Sequence, residues 1–162
     1  MTSVCASAPL GLRPAQAGDR EFLFALRKAA LGPYVVATYG PWDEAAQRAA
    51  FFARLERTLA THEIVERFGA PIGCLSVVRS ADEIRLNRIF LLPNLQKQGL
   101  GAQLLAALLA EADAAQLPVR LRTLRVSPAR RLYERLGFAV TDETDTHFLM
   151  ERAPAAHEAG AR

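Results

Sequence analysis

The segment Gln96–Gly101, with the sequence QKQGLG, constrains the fold and chemistry of this chain more than any other stretch. It follows an apolar run that ends at Leu92 and precedes a helix striped with leucines, so it predicts a sharp turn from a strand into a helix. Its two glycines let the backbone approach a ligand and turn N–H groups outward. The helix start adds unpaired donors and a partial positive charge. The segment therefore predicts an anion site for a phosphate or pyrophosphate; the alternative is a glycine-rich turn without a ligand.

Two common phosphate-binding motifs do not fit this segment. A Rossmann fingerprint needs a third small residue at the position of Leu104, and an acidic residue at the end of the next strand, where the sequence VRLRTLRV is basic. A Walker A loop needs Gly-Lys followed by Ser or Thr, which the sequence lacks. The anion site is therefore expected to belong to neither motif.

Hydrophobic periodicity predicts a single α/β domain. The 162 residues, 51% of them apolar, suffice for one core, and we expect a domain over residues 9–152 with flexible segments at 1–8 and 153–162. Strands are expected at 10–13, 63–68, 72–79, 84–92, 119–126, 138–141 and 147–152. Helices are expected from Gly18 to Gly32-Pro33, over 43–59, after Gly99, and from Ser127 to Gly137, with an ordered loop over 34–42. Because strands and helices alternate only in the second half, a mixed sheet is expected.

The strand predicted over residues 84–92 has apolar residues on both of its faces. Strict alternation places Ile84, Leu86, Arg88, Phe90 and Leu92 on one face, and Arg85, Asn87, Ile89 and Leu91 on the other. Neither face is cleanly polar, which indicates a central strand that is covered on both sides.

Composition argues against several classes of protein. No run of about 18 apolar residues could span a membrane, and residues 1–9 lack the pattern of a signal peptide, so a cytosolic protein is expected. Cys5 and Cys74 form neither a disulfide framework nor a ligand pattern, so no metal is expected. The net charge is +3, but the basic residues do not cluster with aromatic ones. We therefore expect no nucleic-acid partner, whereas an anionic small molecule fits the charge.

A second motif, ARRLYERLGF at Ala129–Phe138, follows the next predicted strand. Together with QKQGLG, and with Leu-Arg-Pro-Ala and Gly-Asp near the N-terminus, it resembles the GNAT superfamily of N-acetyltransferases over roughly residues 10–152. The resemblance implies a single α/β domain with a mixed, mostly antiparallel twisted sheet, flanking helices and splayed central strands. It also implies direct transfer of an acetyl group from acetyl-CoA to a primary amine.

The resemblance assigns cofactor-binding residues as well. The strand before the loop would pair through its backbone with the pantetheine arm, at Ile89, Phe90 and Leu91. The loop amides would hold the pyrophosphate, at Lys97, Gln98, Gly99, Leu100, Gly101 and Ala102. Tyr133 matches a tyrosine that lies near the CoA sulfur and protonates the leaving thiolate; apolar packing is the alternative. Ser127 stands where the family often has asparagine, so it would contact the cofactor and cap the following helix.

The reaction needs a neutral amine and a donor to the oxyanion, for which we expect the backbone N–H of Leu91. Several relatives have Glu or His where this chain has Arg85 and Asn87, and neither of these can act as a base. The remaining candidates are Glu63, Glu66, His147 or a chain of waters. His62 and His157 are interpreted as turn and tail residues.

The acceptor site is expected to contain Tyr39, Trp42, Arg85, Asn87 and His147, with Tyr34 also shaping the pocket. An arginine and an amide beside this site predict an acceptor that carries a carboxylate, such as an amino acid. The alternatives are an ion pair of Arg85 with Glu63 or Glu66, and aromatic packing under a loop.

Two broader alternatives stay open. The chain could be a CoA-binding sensor or interaction module without catalysis, and the acceptor could be a protein N-terminus or a lysine instead of a small amine. Edge strands near the C-terminus also allow a homodimer.

Overall fold

The part of the chain that the structure describes, residues 9–156 of a computed structural model, is built around one seven-stranded sheet. Its strands are β1 (Gly11–Pro14), β2 (His62–Arg67), β3 (Ala70–Arg79), β4 (Ile84–Leu91), β5 (Val119–Leu124), β6 (Ala139–Glu143) and β7 (His147–Arg152). Their spatial order is β1-β2-β3-β4-β5-β7-β6, with β4 and β5 parallel and the other neighbours antiparallel. The expected mixed, mostly antiparallel sheet is therefore confirmed. The segment 1–8, Cys5 and His157 lie outside the described residues.

Helices cover both faces of the sheet: α1 (Arg20–Tyr39), α2 (Glu44–Thr58), α3 (Leu100–Ala115) and α4 (Ala129–Arg135). Leu23 of α1 and Phe51 of α2 pack with Cys74 on one face, while the leucine stripe of α3 and Tyr133 of α4 pack on the other. Each face thus buries an apolar layer, as a central sheet requires. None of the helices within residues 9–156 is long and apolar enough to cross a membrane.

Helix α1 continues past the predicted stop at Gly32-Pro33 and ends at Tyr39, so the predicted loop over 34–42 is wrong for most of its length. Proline inside a helix removes one hydrogen bond and costs about 3 kcal/mol. Packing offsets this cost, because Val35 is buried and the bare backbone of Gly32 lies against the ring of Trp42. The helix ends instead at Gly40, which has a φ of +96° and donates its N–H to the Val36 carbonyl.

A β-bulge at Asn87 reverses the expected faces of β4. Ser76 of β3 lies opposite Arg88, but Val77 lies opposite Leu86, so Asn87 has no partner in β3. An extra residue shifts the alternation of side chains by one position. Ile89 consequently packs on the α3 side together with Leu86, whereas Arg88 and Phe90 face α1 and α2. The alternation expected from the sequence is therefore wrong beyond Asn87.

Strands β4 and β5 separate directly after this bulge. Their parallel pairing comprises Ile84–Leu86 against Val119–Leu121, and no later pair joins them. The expected splayed central strands are thus confirmed, and the fork between the strands leaves backbone groups of β4 unpaired.

We expect Gly73→Ala to lower the free energy of unfolding by about 1–3 kcal/mol, which is a decrease in Tm of about 3–10 °C. A Cβ at this position of β3 would stand 2.4 Å from the Phe90 carbonyl oxygen and 2.8 Å from Leu91 Cδ2, and backbone cannot move aside cheaply. Thermal unfolding measures the effect. The control is Gly18→Ala, because a Cβ there meets nothing within 4 Å. Equal melting temperatures for the two variants would contradict the tight contact of β3 with β4.

Candidate functional site

A cavity of about 1320 Å³ occupies the fork between β4 and β5. It is lined by many of the residues that the sequence singled out: Arg85, Asn87, Ile89, Phe90, Leu91, Lys97, Gly99, Gly101, Ala102, Ser127, Tyr133 and His147. Four others do not line it: Tyr39, Trp42, Gln98 and Leu100. The fold therefore brings the two sequence motifs and the central strand to one place.

The start of α3 presents unpaired N–H donors to this cavity. Gly99, with a φ of +79°, precedes the helix, and no side chain caps the helix end. The first helical bond runs from the Gln103 N–H to the Gly99 carbonyl at 3.0 Å, so the N–H groups of Leu100, Gly101 and Ala102 have no partner among the described residues. With the partial positive charge of the helix end, these donors form a site for an anion.

The free edge of β4 lies next to this helix start. The Leu92 N–H donates to the Ile72 carbonyl of β3 at 2.9 Å, and peptide groups of successive residues point to opposite edges of a strand. The peptide groups of Ile89 and Leu91 therefore point into the fork, whereas those of Phe90 point toward β3. The Leu91 carbonyl accepts a bond from Gln96 Nε2 at 3.1 Å, which ties the loop to the strand and leaves the Leu91 N–H directed at the cavity.

Tyr133 of α4 is a buried phenol on the wall of the fork. The residue is 8% exposed, and its ring packs edge-on against Phe138 with centroids 5.7 Å apart. Burial raises its pKa to about 12, so the hydroxyl is protonated at neutral pH. The hydroxyl has no hydrogen-bond partner among the described residues, so it is available to a ligand in the cavity.

Ser127 lies two residues before α4, which begins at Ala129. Its Oγ accepts a hydrogen bond from the Ala129 N–H at 3.2 Å. The sequence predicts Ser127 as the N-cap, but the N-cap is Pro128, so Ser127 stabilises the helix start from one residue earlier. Ser127 also lines the cavity. Its contact with a cofactor stays a prediction.

Arg85 is paired with a neighbouring carboxylate and is therefore not free to bind the acetyl acceptor. Its guanidinium donates to Glu83, which also accepts a bond from Arg120. The partner is thus neither Glu63 nor Glu66; Glu66 pairs with Arg13 at 2.8 Å. Neither Glu63 nor Glu66 lines the cavity, so the structure does not bring these candidate bases to the site.

Among the candidate bases, His147 is the one side chain that does line the cavity. Burial, together with the nearby charge of Arg122, lowers its pKa, so the ring is neutral at pH 7. Its Nδ1 lies 2.8 Å from Thr146 Oγ1, which orients the ring.

The three aromatic residues expected at the acceptor pocket separate in the structure. Tyr34 lines the cavity, whereas Tyr39 is exposed. Trp42 packs 6.4 Å from the Phe24 ring and donates its Nε1–H to Glu44 at 2.7 Å. Trp42 therefore holds α1 and α2 together outside the cavity.

A row of polar side chains that the sequence analysis missed crosses the sheet on the face of α1 and α2. His62 of β2 lies opposite Ser76 of β3, and Ser76 lies opposite Arg88 of β4. Directly opposed residues share a face, and all three line the cavity. Arg88 stood among apolar residues in the expected alternation, and this anomaly was the one signal that could have indicated the row.

His62 is not the turn residue that the sequence suggested, because it begins β2 and is 3% exposed. Its Nδ1 lies 2.9 Å from the Thr58 carbonyl, which can only accept, so Nδ1 carries the proton. Its Nε2 is buried and has no partner among the described residues. Burial lowers the pKa of the ring, so the row contains a neutral histidine with a free acceptor nitrogen.

The site as a whole fits a long ligand that is anionic in the middle and reactive at its tip. The start of α3 suits a diphosphate, the β4 edge can bond a chain of amides, and Tyr133 lies where the strands part. Among residues 9–156, no three His, Cys, Asp or Glu side chains are grouped so that they could hold a metal ion.

Comparison with a domain family gives a match over residues 45–140, which is more than half of the chain. The family is described as "Acetyltransferase (GNAT) domain". No curated protein sequence matches significantly.

Several solved structures share the fold. The PaiA N-acetyltransferase of Thermoplasma acidophilum, solved with coenzyme A, has a TM-score of 0.70 and 20% identity over 90% of this chain and 99% of that chain. The ribosomal-protein-S18-alanine N-acetyltransferase of Escherichia coli has a TM-score of 0.63 and 22% identity, covering 95% and 100%. The N-acetylglutamate synthase of Neisseria gonorrhoeae, with coenzyme A and N-acetyl-glutamate, has a TM-score of 0.64 and 18% identity, covering 92% and 36%. At these identities the likeness supports the fold alone.

Proposed function

The chain belongs to the GNAT family of acetyltransferases, and from that premise we propose that it moves an acetyl group from acetyl-CoA directly to a primary amine. The observation that carries this proposal is the meeting of the uncapped start of α3, the free edge of β4 and the unpartnered phenol of Tyr133 in one cavity. The amine nitrogen bonds to the acetyl carbon, the carbon–sulfur bond breaks, the nitrogen loses a proton and the sulfur gains one.

The residues at the fork have two roles in this proposal: some bind the cofactor and others take part in the reaction. The N–H groups of Gly101 and Ala102, which line the cavity, bind the diphosphate together with Lys97, and Leu100 and Gln98 belong to the same turn without lining the cavity. The peptide groups of Ile89 and Leu91 bond the pantetheine arm, and the Leu91 N–H stabilises the oxyanion.

Tyr133 assists the departure of the thiolate. A pKa of about 12 keeps its hydroxyl protonated, so it donates a hydrogen bond to the sulfur as negative charge develops there. A free thiol has a pKa of about 8.5, so complete transfer from the phenol is not favoured and solvent completes the protonation.

The acceptor amine must lose a proton, and His147 is the base that we propose, directly or through water. It lines the cavity and its lowered pKa leaves it neutral at pH 7. The acceptor is a small amine or an amino acid in this proposal. The similar structures are named both for an amino acid product and for an alanine of a ribosomal protein, so a protein N-terminus or lysine is the alternative acceptor.

A CoA-binding sensor without catalysis is the second candidate, because no Asp or Glu among residues 9–156 lines the cavity as a base. Release of free thiol from acetyl-CoA, measured with a panel of amines, amino acids and peptides, separates the two functions. We expect one amine class to raise thiol release above hydrolysis and to yield an acetylated product that mass spectrometry detects. Tight CoA binding with no acetylated product from any amine would favour the sensor.

A further inference from the structure

The cavity is lined by several cations and, within the part of the chain that the structure describes, by no carboxylate. Seven arginines contribute to its wall: Arg54, Arg85, Arg88, Arg120, Arg122, Arg131 and Arg135. Arg85 pairs with Glu83, and Arg120 pairs with Glu83 and Glu151, but the others form no ion pair with a described residue. A wall of this kind attracts ligands that carry negative charge.

Arg88 differs from the other lining arginines in its burial and in how it is positioned. The bulge at Asn87 turns it onto the face of α1 and α2, where it lies opposite Ser76 and beside an apolar row formed by Ile64, Cys74 and Phe90. Its guanidinium is 6.0 Å from the Phe51 ring centroid and makes no hydrogen bond to a described residue. Five donors are therefore partly desolvated without an acceptor, an arrangement that costs free energy unless a ligand provides one.

Two further arginines, Arg54 and Arg27, raise the free-energy cost of holding Arg88 without an acceptor. Burial, followed by the charge of Arg54, lowers the pKa of Arg88, and burial with the charges of Arg88 and Arg54 lowers the pKa of Arg27. Arg27 donates to Gln47 at 3.2 Å, but its buried Nε has no partner among the described residues. Three guanidiniums thus repel one another, and no described carboxylate lies in the cavity wall to compensate them, which is the pattern of a preformed anion site.

The position of this cluster points to the acceptor and not to CoA. The anion-binding start of α3 belongs to the opposite face of the sheet, whereas Arg88 and Arg54 belong to the face of α1 and α2. The cavity joins the two faces through the fork. A ligand whose diphosphate lies at α3 therefore presents its thioester from one side, and a second ligand can approach from the other.

Resting on the proposed function, we propose that the acceptor carries a carboxylate near its amine, and that Arg88 and Arg54 bind this carboxylate. Arg88 offers a planar fork of donors that suits two carboxylate oxygens, and Arg54 completes the charge from α2. The hydroxyls of Thr61 and Ser76, joined at 2.9 Å, and Nε2 of His62 give the same end of the cavity further polar contacts. This assignment moves the expected carboxylate contact from Arg85, which Glu83 already neutralises, to Arg88.

The test compares each free amino acid with its own carboxamide as acceptor, for the wild type, Arg88→Met and Arg54→Met. We expect the wild type to prefer the acid by about 10- to 100-fold in kcat/KM, the range of a charge-assisted pair. Arg88→Met removes most of this preference, and Arg54→Met removes part of it. The matched control is Arg57→Met, because Arg57 is exposed on the same helix, outside the cavity and without an ion pair, and it keeps the preference.

Peptides with an acidic second residue and an amidated C-terminus distinguish the source of the carboxylate. If they are acetylated with the same dependence on Arg88, the carboxylate comes from a side chain of a peptide; if only free amino acids show this dependence, it is the main-chain carboxylate. Equal use of acid and amide by the wild type, or an equal loss of both in Arg88→Met, would overturn the proposal.

A binding measurement keeps this inference separate from the acetyl transfer itself. We expect the free amino acids that bind the CoA complex to raise its Tm at millimolar concentration in the wild type but not in Arg88→Met, whatever the rate of turnover. Turnover without any carboxylate effect would overturn the inference alone. A carboxylate effect on Tm without turnover of any amine would overturn the proposed function alone. Arg88→Met itself should melt no lower than the wild type, because it removes a repelled charge, whereas a merely structural arginine would lower the Tm.

Discussion

Replacing Tyr133 with phenylalanine will slow acetyl transfer by about 100- to 1,000-fold, the usual effect of removing one preorganised hydrogen-bond donor from a charge that develops in the transition state. The change removes a single hydroxyl from a residue that is 8% exposed and leaves the ring against Phe138. Because the hydroxyl has no partner among the described residues, its loss costs no protein hydrogen bond, and the Tm should stay within a degree or so of the wild type. The thiolate then leaves without a donor, so kcat falls while the affinity for CoA is kept.

Steady-state kinetics and calorimetry with CoA measure the two effects. Tyr34→Phe is the matched control, since Tyr34 is the other tyrosine that lines the cavity and it lies on α1, at the acceptor end. That variant should change KM for the amine more than kcat. With a pKa of about 12, Tyr133 does not ionise below about pH 11, so Tyr133→Phe should lower the rate without altering the shape of the pH profile. An unchanged kcat in Tyr133→Phe would remove the phenol from the mechanism.

Placing a glutamate at position 102 will weaken CoA binding by about 100-fold or more, which is ~2.7 kcal/mol. Ala102 lies in the first turn of α3 and lines the cavity, so the new carboxylate would stand beside the bound diphosphate. The same carboxylate interacts favourably with the helix N-terminus, by about 0.3–1 kcal/mol. Affinity and stability should therefore change in opposite directions, which a misfolded variant cannot produce.

The control for size is Ala102→Gln, which adds nearly the same volume without the charge. Calorimetry should show a much smaller loss of CoA affinity for this variant, and the difference between Ala102→Glu and Ala102→Gln should shrink as salt screens the charges. If both variants bound CoA equally well, the start of α3 would not be the diphosphate site.

The local parts of the site could be predicted from the sequence. Glycine at 99 adopts the left-handed φ that the turn into α3 requires, and the leucine stripe buries the helix behind it. These features depend on interactions between residues close in the chain, so the local pattern was sufficient to predict them. The expected fold and cofactor came from the family resemblance that QKQGLG and the motif around Tyr133 carry. The family match over residues 45–140 agrees with that reading.

The acceptor end of the cavity depends on strand register, which no local pattern fixes. Strict alternation along β4 placed Arg88 on the same face as Leu86. That prediction is wrong because β4 has a bulge at Asn87, which arises from the pairing of β4 with β3. The sequence suggested a turn residue at His62, because its neighbours in the sheet, Ser76 and Arg88, lie on strands that come later in the chain. Helix α1 continues past Pro33 because Val35 and Trp42 supply tertiary packing, and intrinsic helix propensity does not include such packing.

The sequence by itself therefore determined where the uncapped helix start lies and which tyrosine lines the cavity beside it, because a turn and a helix start carry their own hydrogen-bond donors. Only the tertiary structure decided which arginines are neutralised and which remain free. Arg85 pairs with Glu83 two residues away. Arg88 is turned by one extra residue onto the face of α1 and α2, where no carboxylate among the described residues lines the cavity. The charge on a side chain is a property of the sequence, but its compensation is a property of the neighbours that the fold provides.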